Sequence, residues 1–191
     1  MNDLAFYFKL GWHHIISRDA LDHQLFILAL AAVYLVNDWK KVLVLVTAFT
    51  IGHSFTLALS VYDIIRANDR WVEFLIPCTI IITAAFNFLQ TNTQTKKLSA
   101  NYFFALFFGL IHGLGFANSI RFMLAKDQSI GWSLFGFNIG LEAGQITVVS
   151  FILLMSYLFV DRIGVKRKGW IIFLSSAALL WAAKFAFERI P

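Results

Sequence analysis

Charged residues are scarce in this sequence. Only 14% of its 191 residues are Asp, Glu, Lys or Arg, whereas 59% are hydrophobic. A soluble domain carries about 25% charged residues, and one small globule cannot bury so much apolar surface. The composition therefore excludes an ordinary water-soluble domain. A bilayer covers the outside of an apolar bundle, so we predict an integral membrane protein with the lipid bilayer as its surroundings.

Cysteine and methionine are also rare. Cys78 is the single cysteine, which excludes an internal disulfide, and the three methionines are scattered. Soft sulfur ligands select Cu(I), so their scarcity argues against a copper(I) site. The net charge of +5 is spread over short loops. Without a clustered basic surface, we expect no nucleic-acid partner.

Long apolar runs define the fold class. Stretches such as VLVLVTAFTIGHSFTLALSVY lack the alternation of barrel strands and suit helices of roughly 20 residues. We predict an all-α, polytopic bundle in which residues 1–191 form a single transmembrane domain. An N-terminal helix within residues 3–20 should lie in the interface or fold back into it. The six predicted transmembrane helices cover residues 22–36, 42–62, 71–89, 102–120, 132–160 and 170–188.

Six spans place both termini on one side of the membrane. Lys and Arg divide equally between the two sides, but one set is packed into the shorter loops after the first, third and fifth spans. Short cytoplasmic loops are enriched in these residues. We therefore predict that those loops are cytoplasmic and that both termini lie outside.

Several ionisable side chains fall inside the predicted spans. His53 is near the middle of the second span, His112 of the fourth and Glu142 of the fifth. Each costs about 2.5–3.5 kcal/mol at the bilayer centre, so each needs a partner. Taken singly, either histidine could join helices by a hydrogen bond. As a set, these groups have few partners except one another.

Helical spacing arranges these residues on faces. In the fifth span, one face carries Glu142 and the opposite face carries a glycine ridge that lets a neighbouring helix approach closely. Gly109 and Gly113 could serve the same purpose in the fourth span. The polar face of the second span comprises Thr50, His53, Thr56 and Ser60. The polar face of the fifth comprises Asn138, Glu142 and Gln145, and its ridge comprises Gly136, Gly140 and Gly144.

A second group of ligand-type residues stands where the first span opens. Asp19, Asp22 and His23 fall at helical positions i, i+3 and i+4, so they can point at one spot, and His14 lies one or two turns earlier. Asp22 could alternatively cap the helix. His13, beside an interfacial tryptophan, is expected at the wetted surface. Imidazole and carboxylate suit a divalent transition metal such as Ni²⁺, Zn²⁺, Co²⁺ or Fe²⁺.

Five sequence blocks follow one another along the chain: GWHHIISRDALDHQLFILAL, TAFTIGHSFTLAL, VEFLIPCTI, FFGLIHGLGFA and FNIGLEAGQ. In this order they resemble the HupE/UreJ family of bacterial membrane proteins. The resemblance implies a six-span bundle in the bacterial cytoplasmic membrane. It also implies Ni²⁺ uptake for hydrogenase or urease maturation, with maturation proteins as partners. The family's histidine and Asp-His pair match His14, Asp22 and His23. Two extra residues separate them here, and Asp19 is an additional potential ligand.

We therefore hypothesise a divalent transition-metal permease of the nickel type, or a metal-binding membrane protein. His14, Asp19, Asp22 and His23 would capture the ion at the outer mouth, and His53, His112 and Glu142 would form an inner site. Two alternatives stay open. The same ligands could form an intramembrane zinc-type metalloenzyme acting on a lipid-like substrate. The polar faces could instead only bind helices in a membrane assembly factor. A homo-oligomer is also left open.

Overall fold

A computed structural model of the protein describes residues 3–89, 98–124 and 130–191. These residues are almost entirely helical, and no strand occurs among them. Short 3₁₀ turns precede α2 and α3, and a π-helical turn, Tyr157–Arg162, extends α6. The helices are α1 Asp3–Ile16, α2 Leu21–Ala31, α3 Trp39–Val61, α4 Asp69–Leu89, α5 Leu98–Leu124, α6 Ile130–Ser156 and α7 Arg167–Glu188.

Four segments of the described chain are long and apolar enough to cross a membrane. They are Val36–Val61, Asp69–Leu89, Ile130–Arg162 and Arg167–Glu188. Their outer faces carry large apolar side chains, such as Phe55 and Phe173, which are 59% and 68% exposed. A water-soluble surface does not carry so much exposed apolar area. The chain is thus an all-helical membrane protein, whereas the count of six spans stays a prediction.

The first predicted span, residues 22–36, is wrong in its extent. The helix there, α2, has only 11 residues and ends at Ala31, before a turn and a second 3₁₀ segment. Eleven residues rise about 16 Å, roughly half the hydrocarbon thickness of a bilayer. By its length, α2 cannot cross a membrane alone.

Helix α1 packs lengthwise against α6 through the predicted glycine ridge. A Cβ atom added at Gly140 would lie 2.0 Å from the Phe8 carbonyl oxygen. Gly136 meets Leu4, and Gly144 meets Ile15. Since residue numbers rise together along both helices, they run parallel. The predicted close approach is confirmed. The ridge holds α1 along one of the membrane-length helices, and the interfacial or re-entrant placement of α1 stays a prediction.

Helices α3 and α5 form a second glycine-packed, parallel pair. A Cβ added at Gly52 would lie 2.2 Å from the Leu106 carbonyl oxygen, and one at Gly109 would lie 2.2 Å from that of Phe49. Gly113 is similarly close to the carbonyl oxygen of His53. Only glycine permits backbones this close. The two pairs therefore fix the relative positions of four of the seven helices.

Helix α2 continues in the direction of α1 after a break. Gln24 donates hydrogen bonds of 2.9 Å from Nε2 to the carbonyl oxygens of Ile15, at the end of α1, and of Ser17, which also accepts from the Ala20 N–H. Farther along, the carbonyl oxygen of Val33 accepts a bond from Arg167 at the start of α7. Helix α6 also ends near α7's start, so α1 and α2 both run toward that end of the bundle. Together they form one discontinuous helix.

Helix α2 also packs against α4 and α7, which form the third pair. The side chain of Asn87 on α4 donates to the Ala29 carbonyl oxygen at 2.7 Å and lies 3.1 Å from the Ser175 hydroxyl. Asn87 is buried. One amide thus ties α2, α4 and α7 together, which positions the start of α2 between the two glycine-packed pairs.

Candidate metal site

Three imidazoles from three different helices converge inside the bundle. His14 of α1, His23 of α2 and His53 of α3 each offer a ring nitrogen, and these nitrogens lie within 4.8 Å of one another. The ring centroids are 4.7 Å apart for His14 and His23, and 5.7 Å for His23 and His53. His23 and His53 are buried, whereas His14 is half-buried. His14 and His23 were predicted at the outer mouth and His53 at an inner site, but the structure brings all three together.

A fourth imidazole, His112 of α5, borders this group. Its ring centroid lies 5.2 Å from that of His23, and it is fully buried. Its Nδ1 lies 2.8 Å from the Phe108 carbonyl oxygen. A carbonyl can only accept, so Nδ1 carries the hydrogen and Nε2 keeps a free lone pair. This arrangement prepares a histidine to bind a metal through Nε2. The histidine cluster is defined here as His14, His23, His53 and His112.

The glycine contacts explain why these rings meet. Gly11 lies one turn before His14, and a Cβ there would lie 2.0 Å from the Phe137 carbonyl oxygen. Gly52 directly precedes His53, while Gly109 and Gly113 stand on either side of His112. Each histidine on a glycine-packed pair therefore sits beside a point of closest backbone approach. Side chains at such points reach across to neighbouring helices.

Several ring nitrogens of the cluster are buried without a hydrogen-bond partner. Among the described residues, neither nitrogen of His53 has a partner, nor does Nε2 of His14, His23 or His112. An unsatisfied buried polar group costs about 1–3 kcal/mol, so the cluster is unfavourable as a purely structural feature. The proposal that either His53 or His112 joins helices by hydrogen bonding is wrong for the described residues, because His53 has no bond and His112 bonds within its own helix. These free lone pairs fit a metal ion.

A cavity of about 330 Å³ leads to the cluster from one end of the bundle. Asp22 lines it, as do Asp19, which is exposed, and Glu73, near the start of α4. Oδ2 of Asp22 accepts a 2.9 Å hydrogen bond from Arg189, and Oδ1 is buried without a partner. Asp22 does not cap α2, since that helix begins one residue earlier, at Leu21. Three of the four clustered histidines, His14, His23 and His112, line this same cavity.

Three buried phenylalanines lie on the other side of the cluster, toward the start of α7. Each is about one helical turn from a clustered histidine: Phe26 follows His23, while Phe49 and Phe108 precede His53 and His112. The rings of Phe26 and Phe49 stack at 4.8 Å, and Phe108 meets Phe26 edge-on at 6.0 Å. Phe49 lies 5.0 Å from His112. We call these three residues the phenylalanine layer; they pack against the cluster and do not line the cavity.

Glu142 is not part of the cluster. Its Oε1 accepts a 2.8 Å hydrogen bond from Thr47, and Gln145 one turn along accepts a 2.6 Å bond from Thr50. The predicted polar faces of α3 and α6 thus meet each other. Thr50 and Thr47 lie one and two turns from His53, toward the start of α3. Asp19 lines the cavity, and its role as a metal ligand stays a prediction.

The profile of the HupE / UreJ protein family matches residues 1–189. This chain belongs to the HupE/UreJ family. All four clustered histidines of this HupE/UreJ protein lie within the matched range, as do Asp22 and Arg189. No curated protein and no solved structure matches the chain.

Two features of the HupE/UreJ chain were missed by sequence reasoning. No role was predicted for the phenylalanine layer, although its one-turn spacing from His23, His53 and His112 was a usable signal. No role was predicted for Arg189 either. Nothing local in the sequence indicates its pairing with Asp22, which is 167 residues away.

Proposed function

We propose that this protein is a membrane permease for a divalent transition-metal ion of the nickel and cobalt type. The family is associated with nickel and cobalt transport. The observation that supports the proposal best is the convergence of His14, His23 and His53 from three helices, with ligand nitrogens within 4.8 Å of one another. His112 offers a fourth nitrogen.

The chemistry of the cluster suits such a cargo. Imidazole is a preferred ligand for Ni²⁺ and related ions, whereas Mg²⁺ and Ca²⁺ prefer oxygen. Two nitrogens bound to one ion at about 2.1 Å lie no more than about 4.2 Å apart, so small ring rotations bring the three into range. Neutral imidazoles lack the charge of thiolates. Binding can therefore be selective without becoming too tight for release.

The cavity and the phenylalanine layer support alternating access. The cavity opens where α4 starts and α7 ends, and the layer of Phe26, Phe49 and Phe108 blocks the opposite side. If the basic loops are cytoplasmic, as predicted, the cavity faces outward, which is the orientation expected for uptake. The discontinuous pair α1 and α2 would then count as one of six spans, with α5 as another. Transporters often place substrate sites at such helix breaks.

Transport would proceed in three stages. Asp19, Asp22 and Glu73 attract the hydrated cation into the cavity. The clustered imidazoles then replace part of its water shell. Finally the phenylalanine layer opens and the imidazoles separate, which releases the ion toward Thr50 and Thr47. In this scheme Glu142, hydrogen-bonded to Thr47, receives the ion on the release side.

A zinc-type hydrolase is the second candidate, because three histidines beside an open cavity resemble a catalytic zinc site. Catalytic zinc keeps one coordination position for water. Here the free Nε2 of His112 is available for that position. The fourth imidazole therefore favours holding an ion over activating water.

The test is metal flux into proteoliposomes that carry a Ni²⁺-sensitive dye. His23→Ala should reduce Ni²⁺ uptake at least tenfold, since loss of even an indirect metal contact costs 10–100-fold in affinity. His13→Ala is the matched control: His13 is exposed on α1 and should leave uptake unchanged. Equal uptake by wild type and His23→Ala, or no uptake by wild type above empty vesicles, would contradict the proposal.

A further inference from the structure

An ion pair spans the cavity that leads to the histidine cluster. Arg189, just after α7, donates from Nη1 to Oδ2 of Asp22 in the first turn of α2, at 2.9 Å. The Arg189 side chain is 30% exposed and that of Asp22 is 16% exposed. Both line the same cavity as His14 and His23. This pair is thus partly desolvated and lies on the route to the cluster.

Only one of the two carboxylate oxygens of Asp22 accepts a hydrogen bond from the described residues. Oδ1 is buried and has no hydrogen-bond partner, although the adjacent residue is His23 of the cluster. A buried carboxylate requires a compensating cation. In this structure the cation is Arg189, which comes from a different helix. A divalent ion at the cluster would compensate the charge of Asp22 equally well.

We propose that Arg189 is a tethered counter-cation that competes with the metal ion for Asp22. This inference rests on the proposed transport function. When a divalent ion binds among the histidines, Asp22 turns toward it, and repulsion between like charges displaces the guanidinium. When the ion leaves, Arg189 pairs with Asp22 again. The guanidinium already lies 5.0 Å from the Phe185 ring, which offers a cation–π contact for the displaced state.

This competition has a consequence for transport. Arg189 lowers the affinity of the site by occupying its carboxylate, and it thereby speeds release. Conduction needs binding that is favourable enough for capture but weak enough for departure. Removing the arginine should therefore tighten metal binding and slow turnover at saturating metal.

The experiment compares Arg189→Gln with Lys184→Gln in the purified full-length protein. Lys184 lies in the last turns of α7, is 57% exposed, and its Nζ lies 3.6 Å from Glu188 and 5.2 Å from the Trp181 ring centroid. Both changes remove one positive charge near the same end of α7. Ni²⁺ binding is measured by calorimetry in nanodiscs, and uptake is measured in proteoliposomes. Arg189→Gln should lower the Ni²⁺ Kd about tenfold, within the range of typical coupling between sites, and reduce maximal uptake. Lys184→Gln should change neither.

A double variant guards against a folding artefact. In an Asp22→Asn background, Arg189→Gln should have no effect on the Ni²⁺ Kd, because the carboxylate for which Arg189 and the metal ion compete has been removed. If the Kd of Arg189→Gln is unchanged or raised, the inference about Arg189 is overturned. The proposed transport function still stands in that case, provided that the wild type binds Ni²⁺. An equal drop in both backgrounds overturns it as well, since the effect would then be general electrostatics. Absence of Ni²⁺ binding by the wild type overturns both proposals.

Discussion

The glycine-packed pairs and the α4–α7 pair solve helix packing differently. In α1–α6 and α3–α5, backbones approach so closely that a Cβ at Gly140 or Gly52 would lie 2.0 or 2.2 Å from a carbonyl oxygen. Between α4 and α7, a buried amide, Asn87, bonds to the hydroxyl of Ser175. Three of the four clustered histidines belong to the glycine-packed pairs, and none to the other. Close packing thus holds the proposed site, and polar bonding holds the scaffold beside it.

The largest expected effect comes from filling a glycine contact. Gly140→Val should destabilise the protein by about 3 kcal/mol or more, because the new side chain meets the backbone of Phe8. The measurement is the free energy of unfolding in detergent, with Ni²⁺ binding alongside. Gly169→Val on α7 is the control, since no atom lies within 4 Å of a Cβ there, and its stability should change by less than about 0.5 kcal/mol. Equal losses would show that the close contact is unimportant.

Replacing a clustered histidine should separate stability from binding. His53→Leu should weaken Ni²⁺ binding more than about 100-fold, given that indirect contacts alone cost up to that much. Its free energy of unfolding should be unchanged or higher, because both ring nitrogens of His53 lack partners and an apolar group removes that penalty. If His53→Leu lost stability but kept its metal binding, His53 would be a structural residue and not a metal ligand.

The scaffold should respond in the opposite way. Asn87→Leu removes the bonds to Ala29 and Ser175 and should cost about 1–3 kcal/mol of unfolding free energy, because their polar atoms stay buried. The Ni²⁺ Kd of the folded fraction should stay within twofold of wild type, within the scatter expected for independent sites. A large change in Kd would mean that the site depends on the third pair directly.

The smallest effect is expected at the helix break. Gln24→Ala should cost about 1 kcal/mol, because the carbonyl oxygens of Ile15 and Ser17 each lose the hydrogen bond from Gln24. It should also weaken Ni²⁺ binding a few-fold, since this side chain ties the end of α1 to α2. Thr147→Ala, which loses only an exposed bond within α6, is the control for both measurements. If the two variants had the same stability and the same Ni²⁺ affinity, the break between α1 and α2 would not position the metal site.

Periodicity predicted much of the scaffold from the sequence. It placed α3 through α7 to within a few residues, and it identified the ridge at Gly140 as a close-packing surface. These features depend on local spacing, which one helix carries by itself. The role of α1 was not predictable in this way. Its 14 residues are too short to span, and the preference for α6 arises from a fit between two surfaces.

The site was predictable in its members but not in its arrangement. The free-energy cost of an ionisable side chain in the bilayer identified His53, His112 and Glu142 as buried groups that need partners. Which of these side chains lie close together depends on the depth and tilt of their helices. The spacing of residues along one helix does not specify either. His23, which follows the break at Arg18–Ala20, lies 5.7 Å from His53 between ring centroids, although the two were expected at different depths. Glu142 meets Thr47 instead, because α3 and α6 turn their polar faces toward each other.

The most direct test of the central claim is X-ray absorption spectroscopy of the Ni²⁺-loaded protein, which counts imidazole ligands from their characteristic multiple scattering. We predict at least three imidazole nitrogens at roughly 2.1 Å, supplied by His14, His23 and His53. The count should fall by one in His53→Leu and stay constant in His13→Ala. A nickel shell of oxygen atoms alone, or one indifferent to His53→Leu, would contradict a metal site in the histidine cluster.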